Sequence, residues 1–230
     1  MLVVTAHPDD VDYGASGSIA AWTAAGVEVS YCIVTYGDAG GFDETPRDRM
    51  PGLREAEQRA AAKVLGVTDV TFLGHPDGQL YVTHELRRDI ARQIRRVRPQ
   101  RVVTQSPQRN WQRIAPSHPD HLATGEATLC AVYPDARNPF AHPELLADEG
   151  LAAWTVAEVW LMGGPQADHY VDITDTFDRK LEALRAHVSQ TAHMGDGLET
   201  VVRTWNGANA LASGLPEGRL AEAFQTLSTL

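Results

Sequence analysis

The triplet His-Pro-Asp occurs three times in this chain, at His7-Pro8-Asp9, His75-Pro76-Asp77 and His118-Pro119-Asp120. The first runs on into Asp10 and the third into His121, so two short stretches each gather imidazole and carboxylate groups. These are the donors of a catalytic zinc site, which takes about three protein ligands and keeps one position open for water. His7 and Asp10 stand three apart with Pro8 stiffening the turn between them, and His118 and His121 share one face of a helix that begins there. A cation in such a site brings the pKa of bound water down to about 7. A neighbouring carboxylate can then act as base, and a spare imidazole can protonate a leaving group. The motifs hold more polar groups than a metal alone needs, and hydrolysis would use that surplus. One His-Pro-Asp by itself reads as a turn, because Pro and Asp both favour turns. The pairing of the first and third motifs, each following a short apolar run, outweighs that reading. By contrast, His142-Pro143-Glu144 reads as surface, and His84, His142 and His169 as structural or exposed.

The elements that must position these groups alternate. Leu2 to Ala6 reads as a strand ending at His7, and Ser18 to Ala25 as a helix. Val27 to Tyr36, Val70 to Leu73, Arg101 to Gln105, Val156 to Met162 and His169 to Ile173 read as strands, rich in β-branched and aromatic residues. Leu53 to Leu65, Glu85 to Val97, His118 to Val132 and Thr174 to Val188 read as helices, with Gly66 and Pro99 as stops. Residues 37–52 and 106–117 read as loops, 134–150 as irregular, and the tail from Gly195 as Gly-punctuated with one helix from Pro216 to Leu227. Strands alternating with helices predict an α/β fold, a Rossmann-like three-layer sandwich with a mostly parallel central sheet. Such sheets place ligands beyond the carboxyl ends of their strands, where the three triplets fall. No repeat or linker divides the chain, so residues 1–230 are expected to form a single domain. Gly14-x-x-Gly17 lacks the first glycine of a dinucleotide fingerprint and follows an acidic loop; glycines that let a helix pack tightly on the sheet explain it better.

Composition narrows the partners. A chain of 230 residues with 43% apolar and 22% charged residues is ordinary for a globular fold. A net charge of −10 argues against nucleic acid and against an anionic membrane surface, both of which need clustered positive charge. No stretch reaches the roughly 20 apolar residues that cross a bilayer, and the N-terminus shows no secretory pattern. Two cysteines, Cys32 and Cys130, do not make a disulfide framework and read as reduced, buried thiols of a cytoplasmic protein.

With those residues in place, the chain resembles the LmbE-like, or PIG-L, family of zinc-dependent N-deacetylases. The resemblance rests on Ala6-His7-Pro8-Asp9-Asp10, the segment Gly14 to Gly17, Arg54-Glu55, Pro76-Asp77-Gly78 and His118-Pro119-Asp120-His121, together spanning about the first 130 residues. It implies that His7, Asp10 and His121 bind zinc, or another divalent ion such as iron(II), and that Asp9 is the general base. It implies that His118 stabilises the oxyanion or protonates the leaving amine and that Asp120 orients a histidine, namely His118. Arg54 and Asp77 would line the sugar pocket. The segment His187-x-Ser189-Gln190 also looks like a family element, without an evident role. Many members carry a Glu after the two aspartates; here Val11 stands there, followed by Asp12, which leaves the ligand set intact. The implied activity is hydrolysis of an N-acetyl or similar N-acyl group on a small amino sugar or glycoconjugate. A homo-oligomer stays open, and residues 37–52 and 134–166 are expected to shape the pocket. The competing classes are a nucleotide-binding α/β oxidoreductase, suggested by sheet order and the Gly14 region, and a non-catalytic metal- or sugar-binding protein.

Overall fold

A strand with apolar residues in both phases must be covered on two faces; four segments of this chain have that character, and a fifth, Asp69–His75 at the sheet edge, has Val70 as its one buried residue. In the computed structural model, which describes residues 1–42 and 44–230, they form the parallel part of one sheet. Asp43, within the expected 37–52 loop, lies outside the described residues. The parallel strands are β1 (Leu2–Thr5), β2 (Ser30–Thr35), β3 (Asp69–His75), β4 (Arg101–Gln105) and β5 (Glu158–Met162). Two further strands, β6 (His169–Asp172) and β7 (Ala221–Ser228), complete the order β3-β2-β1-β4-β5-β7-β6. Leu2 pairs with both Ser30 and Val102, which puts β1 at the centre of the parallel part. Antiparallel β7 runs beside β5 from Glu158↔Ser228 to Met162↔Phe224.

Each strand deals its side chains to two cores. Leu2, Val4, Cys32, Val34, Val102, Val159 and Leu161 pack on one face with α4 (His84–Val97) and α5 (Pro119–Cys130). Val3, Tyr31, Ile33, Val103, Trp160 and Met162 pack on the other with α2 (Ser16–Ala24), α3 (Met50–Val64) and α7 (Phe177–Arg185). A third cluster, including Leu181, Leu198 and Val202, joins α7 to α9 (Gly197–Ala212). Short α-helices also occur among the described residues, namely α1 (Asp10–Gly14), α6 (Glu144–Ala147) and α8 (Val188–Thr191). In α4 the buried Leu86, Ile90 and Ile94 are spaced by four, and the Thr83 side chain accepts from the Leu86 N–H to cap its first turn.

Where the expectations miss, tertiary contacts override local preference. The stretch expected as a helix from Pro216 to Leu227 contains β7 instead, because β5 needs an antiparallel partner and Phe224 is wholly buried between β5 and β6. The Gly-punctuated tail holds α9, whose Leu198, Val202, Asn206 and Ala210 recur every four residues on the buried side. His142 is not surface: it is 3% exposed, with its ring 4.5 Å from that of His84. The reason is Arg95 on α4. Its guanidinium donates to the carbonyls of Asp135, Ala136, Asn138 and Ala141, which draws the irregular 134–150 segment onto the helix. Cys32 is buried in β2 and Cys130 is half-buried, both unpaired. Among the described residues no helix is long and apolar enough to cross a membrane.

Candidate active site

The parallel strands end together, and the segments leaving them carry the chemistry. His7 lies two residues beyond β1, Asp77 two beyond β3, and the loop after β4 leads to His118 as the N-cap of α5. His7 and His121 come within 5.2 Å, ring centre to ring centre, although 114 residues separate them. Asp10 sits between them. Its Oδ2 accepts from the His7 backbone N–H at 2.7 Å and lies 3.3 Å from His7 Nδ1, while its Oδ1 lies 3.0 Å from His121 Nε2. The two ring nitrogens, His7 Nδ1 and His121 Nε2, are 3.2 Å apart.

Hydrogen bonding on the far sides of both rings sets what these atoms can be. His121 Nδ1 faces the Pro116 carbonyl at 3.1 Å, an acceptor, so Nδ1 carries the proton and Nε2 a lone pair. His7 Nε2 faces Asp77 Oδ1 at 3.0 Å and Asp120 Oδ2 at 3.3 Å, so it is the N–H and Nδ1 is the lone pair. Two ring lone pairs and a carboxylate therefore converge within 3.0–3.3 Å of one another. Acceptors do not stay that close without a positive charge among them. Three donors about 2.0–2.1 Å from a tetrahedral ion stand about 3.3 Å apart, which these spacings match. In the absence of a bound ion that positive charge is a proton on His7: burial alone would lower the His7 pKa, but Asp10, Asp120 and Asp77 drive it up to about 12, and a cation binding at Nδ1 would displace the proton. Burial opposes ionisation of Asp10 too, yet His121 and His7 hold it well below the usual carboxylate range. Two other groupings of metal-binding side chains lie here: His7 with Asp77 and Asp120, and His7 with His118 and His121. In the first, the close pairs are N–H···O contacts from His7 Nε2, and the Asp120 carboxylate also accepts from Gly78 N at 2.7 Å and Leu80 N at 3.2 Å. Those two carboxylates back the His7 ring, as carboxylates behind metal-bound histidines do.

The remaining expected residues fall as follows. Asp9 has φ +82°, a left-handed conformation rare outside glycine, and its carboxylate accepts from Arg54 Nη2 at 3.1 Å. Arg54 is 4% exposed and also donates to the carbonyls of Gly37, through Nη1, and Pro8, through Nη2. Gly37, at φ +66°, leaves no room for a Cβ beside that guanidinium. The structure thus places Arg54 against Asp9 and Asp77 against His7 and the Ala39 N–H; neither lines the cavity described below. His118 is exposed, its ring centre 5.0 Å from that of His7. Its Nδ1 accepts from the Asp120 backbone N–H, so neutral His118 presents Nε2–H outward. Burial, with His7 and His121 beside it, lowers its pKa and favours that neutral form. The Asp120 carboxylate faces His7, not His118.

Asp10 and His121 open onto a cavity of 900 Å³. Its walls include Tyr13, Asn110, Arg113, Tyr170, Trp205 and Asn209. Arg113 lies 4.8 Å over the Trp205 ring, and Tyr13 is 6.3 Å from it. Of the segments expected to shape the pocket, residues 161–166 do so; the wall from α9 was not anticipated, because its residues carry no motif and reach the site only through the packing of α9 beside β7. The Gly14 to Gly17 segment is a packing device: a Cβ at Gly14 would overlap the Met162 sulfur and one at Gly17 would crowd Ile173. At the start of α2 the Glu222 carboxylate takes the Gly17 and Ser18 N–H groups at 2.9 and 2.7 Å, the place a nucleotide phosphate would need.

Residues 2–132 match the family described as PIG-L, GlcNAc-PI de-N-acetylase. The chain is 31% identical over 191 residues to a diacetylchitobiose deacetylase of Thermococcus kodakarensis, covering 83% of this chain and 69% of that protein. It is 33% identical over 218 residues to a probable N-acetyl-alpha-D-glucosaminyl L-malate deacetylase 2 of Bacillus subtilis, covering 89% and 92%. Among solved structures, the N,N'-diacetylchitobiose deacetylase from Pyrococcus horikoshii superposes with a TM-score of 0.89 at 29% identity, over 99% of this chain and 83% of that one.

Proposed function

Because the chain belongs to the PIG-L family, we propose that it is a zinc-dependent hydrolase removing an N-acetyl, or similar N-acyl, group from an amino sugar or glycoconjugate. The observation that carries this reading is the convergence of His7 Nδ1, Asp10 and His121 Nε2 at tetrahedral spacing, with Asp10 and His121 on the wall of a large cavity. These three residues would hold the ion; zinc suits the nitrogen-rich set, and iron(II) is its competitor. When bound, the ion supplies Lewis acidity to the acyl oxygen and to the attacking water.

The protein's own groups do the rest. Asp9, its carboxylate held by Arg54 and its backbone next to the ligand Asp10, takes a proton from the water as the oxygen adds to the acyl carbon. His118 donates its Nε2–H to the oxyanion that develops on the acyl oxygen. Asp9 returns the proton to the amine nitrogen as the C–N bond breaks, leaving free amine and the carboxylic acid, which gives up its remaining proton to solvent as carboxylate. Asp77 and Asp120 fix the His7 ring and its tautomer. Arg54 and Asp77 act from behind the reacting groups rather than on the sugar. The aromatic faces of Tyr13, Tyr170 and Trp205 and the amides of Asn110 and Asn209 suit the apolar faces and hydroxyls of a saccharide, and 900 Å³ accommodates more than a single sugar ring. The cavity draws on residues from Asp10 to Gln225, which supports one domain over 1–230.

The test is metal analysis with an amine-release screen over N-acetylated mono- and disaccharides, followed by Asp9→Asn. The expected result is one divalent ion per chain, release of free amine, and a loss of about 10²–10⁴-fold in Asp9→Asn with the ion retained. Full turnover in Asp9→Asn, or a wild-type protein that neither holds a metal nor releases amine, overturns the proposal.

A further inference from the structure

Asp9 is held in its left-handed conformation by bonds to one peptide group. The Pro8–Asp9 peptide donates its N–H to Gln58 Oε1 at 2.9 Å, and its carbonyl accepts from Arg54 Nη2 at 2.7 Å. Arg54 and Gln58 stand four apart on α3, on one face of the helix. An amide side chain can present either end, and what decides the sense of Gln58 lies one step deeper. Its Nε2 donates to Asp12 Oδ2 at 2.9 Å, and a carboxylate can only accept, so Oε1 is left for the Asp9 N–H. The same Oδ2 accepts from His187 Nε2 at 2.8 Å. Asp12 and His187 are both wholly buried, and Gln58 with them. The turn bearing His187 is anchored next to Gln58, because the Ser189 N–H and hydroxyl both donate to Glu57, each at 2.7 Å. None of these residues lines the cavity or belongs to the ligand triad.

We infer that His187, acting through Asp12 and Gln58, is a positioning residue that fixes the backbone of Asp9 and thereby the aim of its carboxylate. This rests on the reading of Asp9 as the general base. It gives a task to the His187-x-Ser189-Gln190 segment: a residue 178 positions along the chain from Asp9 sets the conformation of the first motif. Arg54 holds the carbonyl end of the peptide directly; the N–H end is held by a chain of three side chains, and His187 is its last member.

Kinetics of Gln58→Met, His187→Ala and His187→Gln, each alone and combined with Asp9→Asn, test this. Gln58→Met and His187→Ala are expected to lower kcat by about 10- to 100-fold, the scale of a carboxylate misplaced by a fraction of an ångström, with KM and bound metal unchanged. His187→Gln keeps an N–H near the Nε2 position and is expected to recover most of the loss. In the Asp9→Asn background the same changes should cost nothing further, because their route to the reaction is gone. A merely structural role would cut residual activity equally in both backgrounds, and that result overturns the inference. Should His187→Ala not fold, Gln58→Met carries the test. A crystal structure of Gln58→Met supplies a readout free of catalysis: the Asp9 peptide and carboxylate should shift by a fraction of an ångström or more from their wild-type positions. An Asp9 that superposes on the wild-type one refutes the positioning role even if the wild-type protein hydrolyses no amide, whereas absence of hydrolysis with a displaced Asp9 refutes only the proposed function.

Discussion

Asp120→Asn separates two accounts of one carboxylate. On the family resemblance Asp120 orients His118; in the structure it faces His7 Nε2 at 3.3 Å and accepts from Gly78 N and Leu80 N. Asparagine keeps one acceptor oxygen. Turned toward Gly78 and His7, it sets its NH₂ against the Leu80 N–H; turned the other way, it sets NH₂ against two donors. The first orientation is the better, so the main loss is the negative charge behind His7. Removing such a backing carboxylate costs about 10- to 100-fold in metal affinity. Asp77 still faces the same nitrogen at 3.0 Å, which places the single variant near the low end, about tenfold or 1.4 kcal/mol. Asp77→Asn combined with Asp120→Asn leaves no carboxylate on His7 Nε2 and should reach about 100-fold. Chelator-competition titration with zinc measures both, with circular dichroism to show that each variant is folded. Zinc affinity equal to wild type in single and double variants, with kcat reduced, would refute the structural account and restore His118 as the partner.

Two further outcomes follow from the geometry. Lys180 is fully buried, donating to the Asp12 and Tyr13 carbonyls and to Glu222 at 2.6 Å. Lys180→Met should destabilise by about 3 kcal/mol, the low end for breaking a buried pair because Gly17 and Ser18 still hold Glu222; calorimetry should show a fall of roughly 10 °C in Tm, and an unchanged Tm would contradict the pairing. For pH, burial raises the Asp9 carboxyl to about 6 against the pull of Arg54. A base works ionised, so kcat/KM should fall about tenfold per unit on the acid side, with its midpoint at about 6 or lower once a cation adds its positive field. A midpoint above about 7 in a kcat/KM profile would show that Asp9 is not the group titrating.

What the sequence makes legible follows from physical causes. The parallel strands were legible because a strand buried on both faces is apolar in both phases, as in Leu2 to Val4 and Val102 to Val103. The first and third His-Pro-Asp motifs were legible as metal chemistry because donor types and close spacing are local properties of the chain. Strand β7 was not, since Ala-Glu-Ala-Phe becomes a strand only between β5 and β6. Nor was the burial of His142, which depends on Arg95 gathering distant carbonyls.

The sequence by itself determined which groups can hold a cation and move a proton, because histidine and aspartate carry that chemistry wherever they stand. Tertiary structure alone decided which nitrogen of each ring bears the lone pair, which carboxylate backs His7, and that Arg54 turns to Asp9 instead of the cavity. Those are matters of hydrogen-bond partners a few ångströms away in space and tens of residues away in the chain. Spacing along a sequence does not encode them; the packing of α1, α3 and α5 around the end of β1 does.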